Sequence, residues 1–178
     1  MASLATVGEL ETYLGRTLDD PLQAQALLDM ASSAVRTYCG WDLSLQTETM
    51  YVEGAKSALI TLPTLCLLDV TEVRADGIPI DLVEWPINVS RKGQVWGCWV
   101  YTVQYEFDVE HGYDPVPDVI KLVTMDYTSR RLSNPEGLTS ATVGQVTKTW
   151  GSSRNTGTAS ESAMPSLHAG LLDRYRVF

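Results

Sequence analysis

Residues 111–137, HGYDPVPDVIKLVTMDYTSRRLSNPEG, decide the fold class. They read as a turn, a helix and a stop. Asp114, Pro115 and Pro117 hold the turn. Pro117 suits the first helical position, where its missing N–H costs nothing. Asp118 then falls in the first turn, where a negative charge favours the helix dipole. Val116, Val119, Ile120, Val123 and Tyr127 recur at helical spacing and predict one apolar stripe. Lys121, Asp126, Arg130 and Arg131 fall largely off it, and the two arginines sit near the carboxy end, where cations are favoured. Pro135 cannot continue a helix and Gly137 tolerates positive φ, so Asn134-Pro135-Glu136-Gly137 ends it.

Two more helices are predicted upstream. Residues 5–15 carry the capping-box spacing from Thr6 to Glu9. Val7, Leu10 and Leu14 line one face, and Gly15 closes it. Residues 21–39 follow, with Asp20 as cap and Pro21 at the first position. Leu27, Ala31, Val35 and Tyr38 predict the buried stripe, with Ala24, Leu28 and Ala34 beside it. The small residues Ala24, Ala26, Ser32 and Ser33 make this helix thin, so a neighbour can approach closely. Gly40 stops it.

Between Trp41 and Phe107 the pattern shifts to short strands. Residues 47–52 are rich in β formers, and residues 58–62 follow a turn at Gly54, so the two predict a hairpin. Residues 70–74 alternate in polarity before Asp76-Gly77, a strong turn signal, and Ile78, Ile80 and Leu82 continue beyond it. Residues 99–107 place Trp99, Tyr101, Val103, Tyr105 and Phe107 on one face at period two, the clearest strand pattern in the chain. The region is thus a mostly antiparallel β module set between helices.

After Gly137, residues 138–150 are weakly β-like around Gly144 and predict an extended arm or hairpin. Residues 151–162 are rich in Gly, Ser and Thr and predict a flexible linker. A final short helix, about 165–175, carries Leu167, Leu171, Leu172 and Tyr175 on one side. A tethered amphipathic helix is a common docking element; its alternative is to pack on its own domain.

The fold class expected is therefore α+β: a small helical core of three main helices plus a short C-terminal helix, with an inserted β module. Residues 1–150 form the main domain, with a helical core at 1–41 and 111–137, the β module at 42–110 and the arm at 138–150. Residues 151–178 are linker and docking helix.

With 178 residues, 44% hydrophobic, the chain is long enough for one core. No apolar run has the length of a membrane span, so no membrane partner is expected. The first residues lack a basic cluster followed by an apolar run, so an intracellular origin is expected. Cys39, Cys66 and Cys98 are odd in number and widely spaced, which argues against a disulfide framework or a zinc knuckle. The net charge is −9 and unevenly spread. Residues 42–118 hold 13 acids and 4 bases, a net of −9; residues 119–178 hold 4 acids and 7 bases, a net of +3; residues 1–41 hold 5 acids and 2 bases, a net of −3. That sign disfavours phosphate-backbone binding. The asymmetry suits a head-to-tail contact between copies, and equally a set of solvated faces.

No catalytic signature is present. His111, near Asp108 and Glu110, lies on a strand-to-turn path that does not converge three ligands on one ion, so it is expected as a turn histidine and not a metal ligand. His168 is expected to be exposed. No phosphate loop and no nucleophile elbow occur. Asp19-Asp20 reads as a helix start, and the Asn88-Val89-Ser90 sequon as chance. Trp96 and Trp99 read as strand or interface anchors. No cofactor is expected.

The HGYDPVP turn, the helix after it and the NPEG stop resemble the head-to-tail connector (adaptor) proteins of long-tailed bacteriophages. The segment Arg36-Thr37-Tyr38-Cys39-Gly40-Trp41 and the run Leu171-Leu172-Asp173-Arg174-Tyr175-Arg176 are similar to the same family. Together the matches span most of the chain, and their order carries the resemblance. It implies a structural virion protein of the neck, made in the bacterial host cytoplasm. It implies a homo-oligomeric ring, typically of twelve subunits, beneath the portal protein. A stopper or tail terminator protein docks on the tail side, and DNA passes through without sequence-specific binding. It also implies that the carboxy-terminal segment reaches the portal, making Leu167, Leu171, Leu172, Arg174, Tyr175 and Arg176 the docking residues. This chain departs from the simplest members of that family by its larger β module, which makes the capsid vertex a candidate contact for that module. The alternative is another neck component of stopper or tail-completion type, which would be mostly β; a small enzyme is a third reading without a residue cluster behind it.

Overall fold

A computed structural model describes residues 3–55, 57–133, 140–143, 146–149 and 166–177. In chain order the described elements are α1 (Val7–Leu14), α2 (Pro21–Cys39), β1 (Gln46–Glu53), β2 (Leu59–Thr61), β3 (Leu67–Ala75), β4 (Ile78–Pro79), β5 (Asn88–Val89), β6 (Gln94–Trp96), β7 (Gln104–His111), α3 (Asp118–Ser133), β8 (Ser140–Val143), β9 (Val146–Thr149), α4 (Ser166–Leu172) and a 3₁₀ turn (Asp173–Tyr175). The fold is α+β with antiparallel sheets. The chain divides into two compact units. A helical unit comprises Met1–Tyr38 with Pro117–Arg174, and a β unit comprises Cys39–Val116 with Tyr175–Phe178.

In the helical unit, α1 forms as its capping box predicts. The Thr6 hydroxyl accepts from the Glu9 N–H at 3.2 Å and the Glu9 carboxylate accepts from the Thr6 N–H at 2.8 Å. Gly15 closes α1 in the left-handed region, at φ +64°. Asp20 caps α2 by accepting from the N–H groups of Leu22 and Gln23. Ala5, Leu10, Ala24 and Leu28 form a small core, with Leu14, Met125 and Leu132 packed against it. The α2 stripe is rotated from the expected one. Ala24, Leu28, Ala31, Ser32, Val35 and Arg36 are buried, while Leu27 and Tyr38 are only half-buried. Ser32 tolerates burial because its hydroxyl donates to the Leu28 carbonyl at 2.7 Å and accepts from the Leu4 N–H.

The α3 stripe is also shifted. Ile120, Val123, Thr124 and Thr128 are buried, whereas Val116, Val119 and Tyr127 are half-buried. Both threonines donate to carbonyls four residues back, at 2.8 and 2.9 Å, so their methyl groups face the core at no hydrogen-bonding cost. Residues 134–137, the expected stop, lie outside the described residues. So does the 151–162 linker. β8 and β9 pair antiparallel as a two-stranded ribbon.

In the β unit one sheet has the order β1-β7-β3-β4 and a second the order β2-β6-β5. The expected hairpin of 47–52 with 58–62 does not form: β1 pairs with β7, and β2 pairs with β6. Apolar β sequences state that they want partners, and the core selects which. The Asp76-Gly77 turn does form, with both residues at positive φ (+49° and +80°), and it folds β4 back on β3. The strand expected over 99–107 begins later, at Gln104. Thr102 lies in the left-handed region at φ +76° and interrupts it. Tyr101 is therefore exposed, while Tyr105, Phe107, Val109 and His111 keep the inward alternation. Trp99 stays outside the strand but stacks edge-on against Tyr105 and Phe107, with ring centroids 5.0 and 5.5 Å away. These rings pack with Met50, Ile60, Leu62, Leu67, Val73 and Val95 as the core of the unit.

Candidate functional site

Within the β unit, one aromatic residue from each of the three stretches that carry the family resemblance joins a single cluster. Trp41, from the segment after α2, lies 5.7 Å from the Tyr113 ring and 6.0 Å from His111. Tyr175, from the carboxy-terminal run, meets Tyr113 edge-on at 6.0 Å. The Trp41 indole N–H donates to the Tyr175 carbonyl at 2.7 Å, and the Val177 N–H donates to the Cys39 carbonyl at 2.9 Å. The cluster forms because Gly40 and Gly112 both take positive φ, turning the chain sharply after α2 and after β7. Burial raises the Tyr113 phenol and pushes the Cys39 thiol up to about 11, so both stay protonated at neutral pH.

Within the helical unit the same carboxy-terminal run makes separate contacts. The Tyr38 hydroxyl donates to Asp173 at 2.5 Å. His168 is buried, not exposed as expected, and its Nε2 lies 2.5 Å from the Asp126 carboxylate of α3. A single turn with an i,i+4 leucine pattern gives no sign that a histidine will find a carboxylate 42 residues away. Its Nδ1 is buried without a partner.

The six expected docking residues thus divide. Leu172 is fully buried in its own unit, and Tyr175 is half-buried in the aromatic cluster. Leu171, Arg174 and Arg176 are exposed. Leu167 belongs to α4, and its side chain lies outside the described residues.

His111 is not a turn residue. It ends β7, fully buried, with Nε2 2.8 Å from the Glu48 carboxylate and Nδ1 3.4 Å from the Thr64 hydroxyl. Asp108, three residues earlier, points to the opposite face of the strand. There its carboxylate takes a two-pronged contact from Arg74, at 2.7 and 3.0 Å, and a hydrogen bond from Thr49. Arg74 holds the Asp108 carboxyl below the usual carboxylate range, and Asp108, with Glu106 and Glu72, raises the Arg74 guanidinium. On this sheet face one guanidinium is shared by three carboxylates, so the face keeps a negative excess. Among the described residues no group of three or more His, Cys, Asp or Glu could hold a metal, and no helix is long and apolar enough to cross a membrane.

Hollows occur in each unit. In the helical unit a groove of about 660 Å³ runs between α1 and α3, walled by Thr12, Tyr13, Leu122 and Met125. The Glu9–Lys121 ion pair, at 2.6 Å, spans it. In the β unit two adjoining hollows of about 260 and 480 Å³ share Ile80, Glu84, Trp85 and Cys98 as walls. Trp85 was singled out by nothing in the sequence, since a tryptophan among Leu82, Val83, Pro86 and Ile87 reads as ordinary packing.

No protein-family model matches the chain, and no curated protein sequence matches it. Solved structures do. A chain in the virion of the native gene transfer agent (GTA) particle is similar with a TM-score of 0.65 at 16% identity, over 100% of this chain and 93% of that one. A chain in the neck of the empty GTA particle, computed with C6 symmetry, gives 0.63 at 15% identity, over 98% and 90%. A chain in the neck of the native particle, computed with C12 symmetry, gives 0.59 at 15% identity, over 97% and 88%. At these identities the likeness is one of fold.

Proposed function

We propose that this chain is a structural neck protein of a phage-like particle, a head-to-tail adaptor repeated as a ring beneath the portal. The observation that carries this reading is the likeness of fold, along nearly the whole chain, to chains from the neck of such a particle. The convergence of the three family-like stretches on one aromatic cluster supports it, because those stretches then serve one structural purpose. Two different surfaces of one chain meeting around an axis close a ring, and twelve is the copy number that the resemblance implies. The acidic net charge of −9 suits a channel through which DNA slides without being gripped. The role carries no catalytic step.

In this reading the carboxy-terminal segment docks on the portal. Leu171, Arg174 and Arg176 face outward and supply the contact, with Leu167 one turn before Leu171. Leu172 and Tyr175 anchor the segment. The tail-side neighbour is a stopper or tail terminator protein, and the β module reaches towards the capsid.

The test is the combined substitution Leu171→Ala, Arg174→Ala and Arg176→Ala in the full chain, which spares the buried Leu172, followed by co-sedimentation with assembled portal. The reading expects portal binding to be lost while circular dichroism retains the helix and strand signal. Undiminished binding overturns the docking assignment.

A further inference from the structure

The β unit displays an apolar surface that its own core does not use. Val83 is 90% exposed and Trp85 53% exposed, beside the two hollows that Trp85 and Cys98 share. The loop is pre-ordered: Asp81 accepts from the Val83 N–H through its carboxylate at 2.8 Å and from the Trp85 N–H through its carbonyl at 2.9 Å. An ordered loop that holds a tryptophan and a valine in water is a surface prepared for contact. Its rim is acidic. Asp81 and Glu84 make no ion pair among the described residues, while Arg74 in the same unit is saturated by three carboxylates.

The complement is in the helical unit. Arg130 and Arg131, the chain's only adjacent arginines, close the last turn of α3. Arg130 is paired with Asp126. Arg131 is exposed, makes no ion pair among the described residues, and lies over the Tyr127 ring at 5.8 Å. That stacking holds the guanidinium in place before any partner arrives.

We infer that in the assembled ring Arg131 of one copy seats against Trp85 of the next, between Asp81 and Glu84. A guanidinium over an indole face gains a cation–π attraction, and the flanking carboxylates add charge-assisted hydrogen bonds. The occupant is a second copy because the acidic excess at 42–118 and the basic excess at 119–178 belong to the same chain. Each copy uses both surfaces, so the contact is head-to-tail. This inference rests on the ring reading above and names its interface.

Cys98 gives the test. It lines the hollows and is exposed, whereas Cys39 and Cys66 are buried. Particles assembled with the full chain carrying benzophenone maleimide on Cys98 are irradiated, and the cross-linked peptides are read by mass spectrometry. The expected product joins residue 98 of one copy to residues 118–133 of another. Arg131→Glu should lower its yield about tenfold, as loss of an interface anchor does, and adding Glu84→Arg should restore it. A ring seen in the neck with cross-links only elsewhere overturns the interface and leaves the ring standing. A neck without this chain overturns both.

Discussion

Gly112 shows what a single residue decides. It sits at φ +107°, and a methyl group added there would lie 2.2 Å from the Ser44 carbonyl oxygen. Its own N–H donates to the Cys66 carbonyl at 2.9 Å. Gly112→Ala combines a backbone strain with a clash against main chain, and should cost about 3 kcal/mol or more, read as a fall in thermal midpoint or as loss of soluble protein. The cysteines give a second residue-scale prediction. Cys98 should react with a thiol reagent at pH 8 in the native chain, while Cys39, held up to about 11 by burial, should react only after denaturant is added. Equal rates for the two would contradict the packing around Gly40. The histidines were not legible at this scale. His111 and His168 are both buried and find carboxylate partners far along the chain, and no local pattern encodes a contact of that range.

Local chemistry, by contrast, fixed the helix ends. The α1 capping box, the Asp20 cap, Gly15 and the Asp76-Gly77 turn all act within four residues, and all could be read directly. Thr6→Ala should therefore destabilise the chain by about 1 kcal/mol. Glu9 also pairs with Lys121 across the helical unit. The Lys121 hydrogen bond, then the Thr6 N–H, hold its carboxyl below the usual carboxylate range. A lowered carboxylate contributes its stability in full above the unfolded-state value, and loses it as pH falls through the folded one. Melting curves between pH 6 and pH 3 should show the native chain losing more than Glu9→Gln, and the difference should shrink in high salt, since the pair is partly exposed. Strand pairing was less legible. The β content of residues 47–52 and 58–62 was plain, yet a sequence pattern states which face is apolar and leaves the partner open. The left-handed Thr102 was invisible because threonine ordinarily avoids that region. The rotated stripes of α2 and α3 have a similar cause: Ser32, Thr124 and Thr128 read as polar, and become core residues once their hydroxyls bond the preceding turn.

At the scale of the whole molecule, the α+β class and the order of helices around a β module were legible, because helical and strand periodicities differ over stretches of ten residues or more. The surfaces inferred for assembly were legible only as a charge asymmetry. Their residues, Trp85 with Glu84 and Arg131 on Tyr127, become visible when exposure and pairing are known. The carboxy-terminal run lies at the other limit. Its leucine spacing predicted an amphipathic helix, and the structure divides that helix into a buried Leu172 and an exposed Leu171. Leu172→Ala should destabilise the free chain by about 2–5 kcal/mol, whereas Leu171→Ala should leave its melting unchanged and weaken portal binding alone. The most direct measurement of the central claim is a cryo-EM reconstruction of the particle neck with this chain in place. The account predicts a closed ring of copies beneath the portal, each presenting its acidic β unit to the next copy's α3. Neck density that cannot accommodate this fold, or a particle that assembles head to tail without the chain, would contradict it.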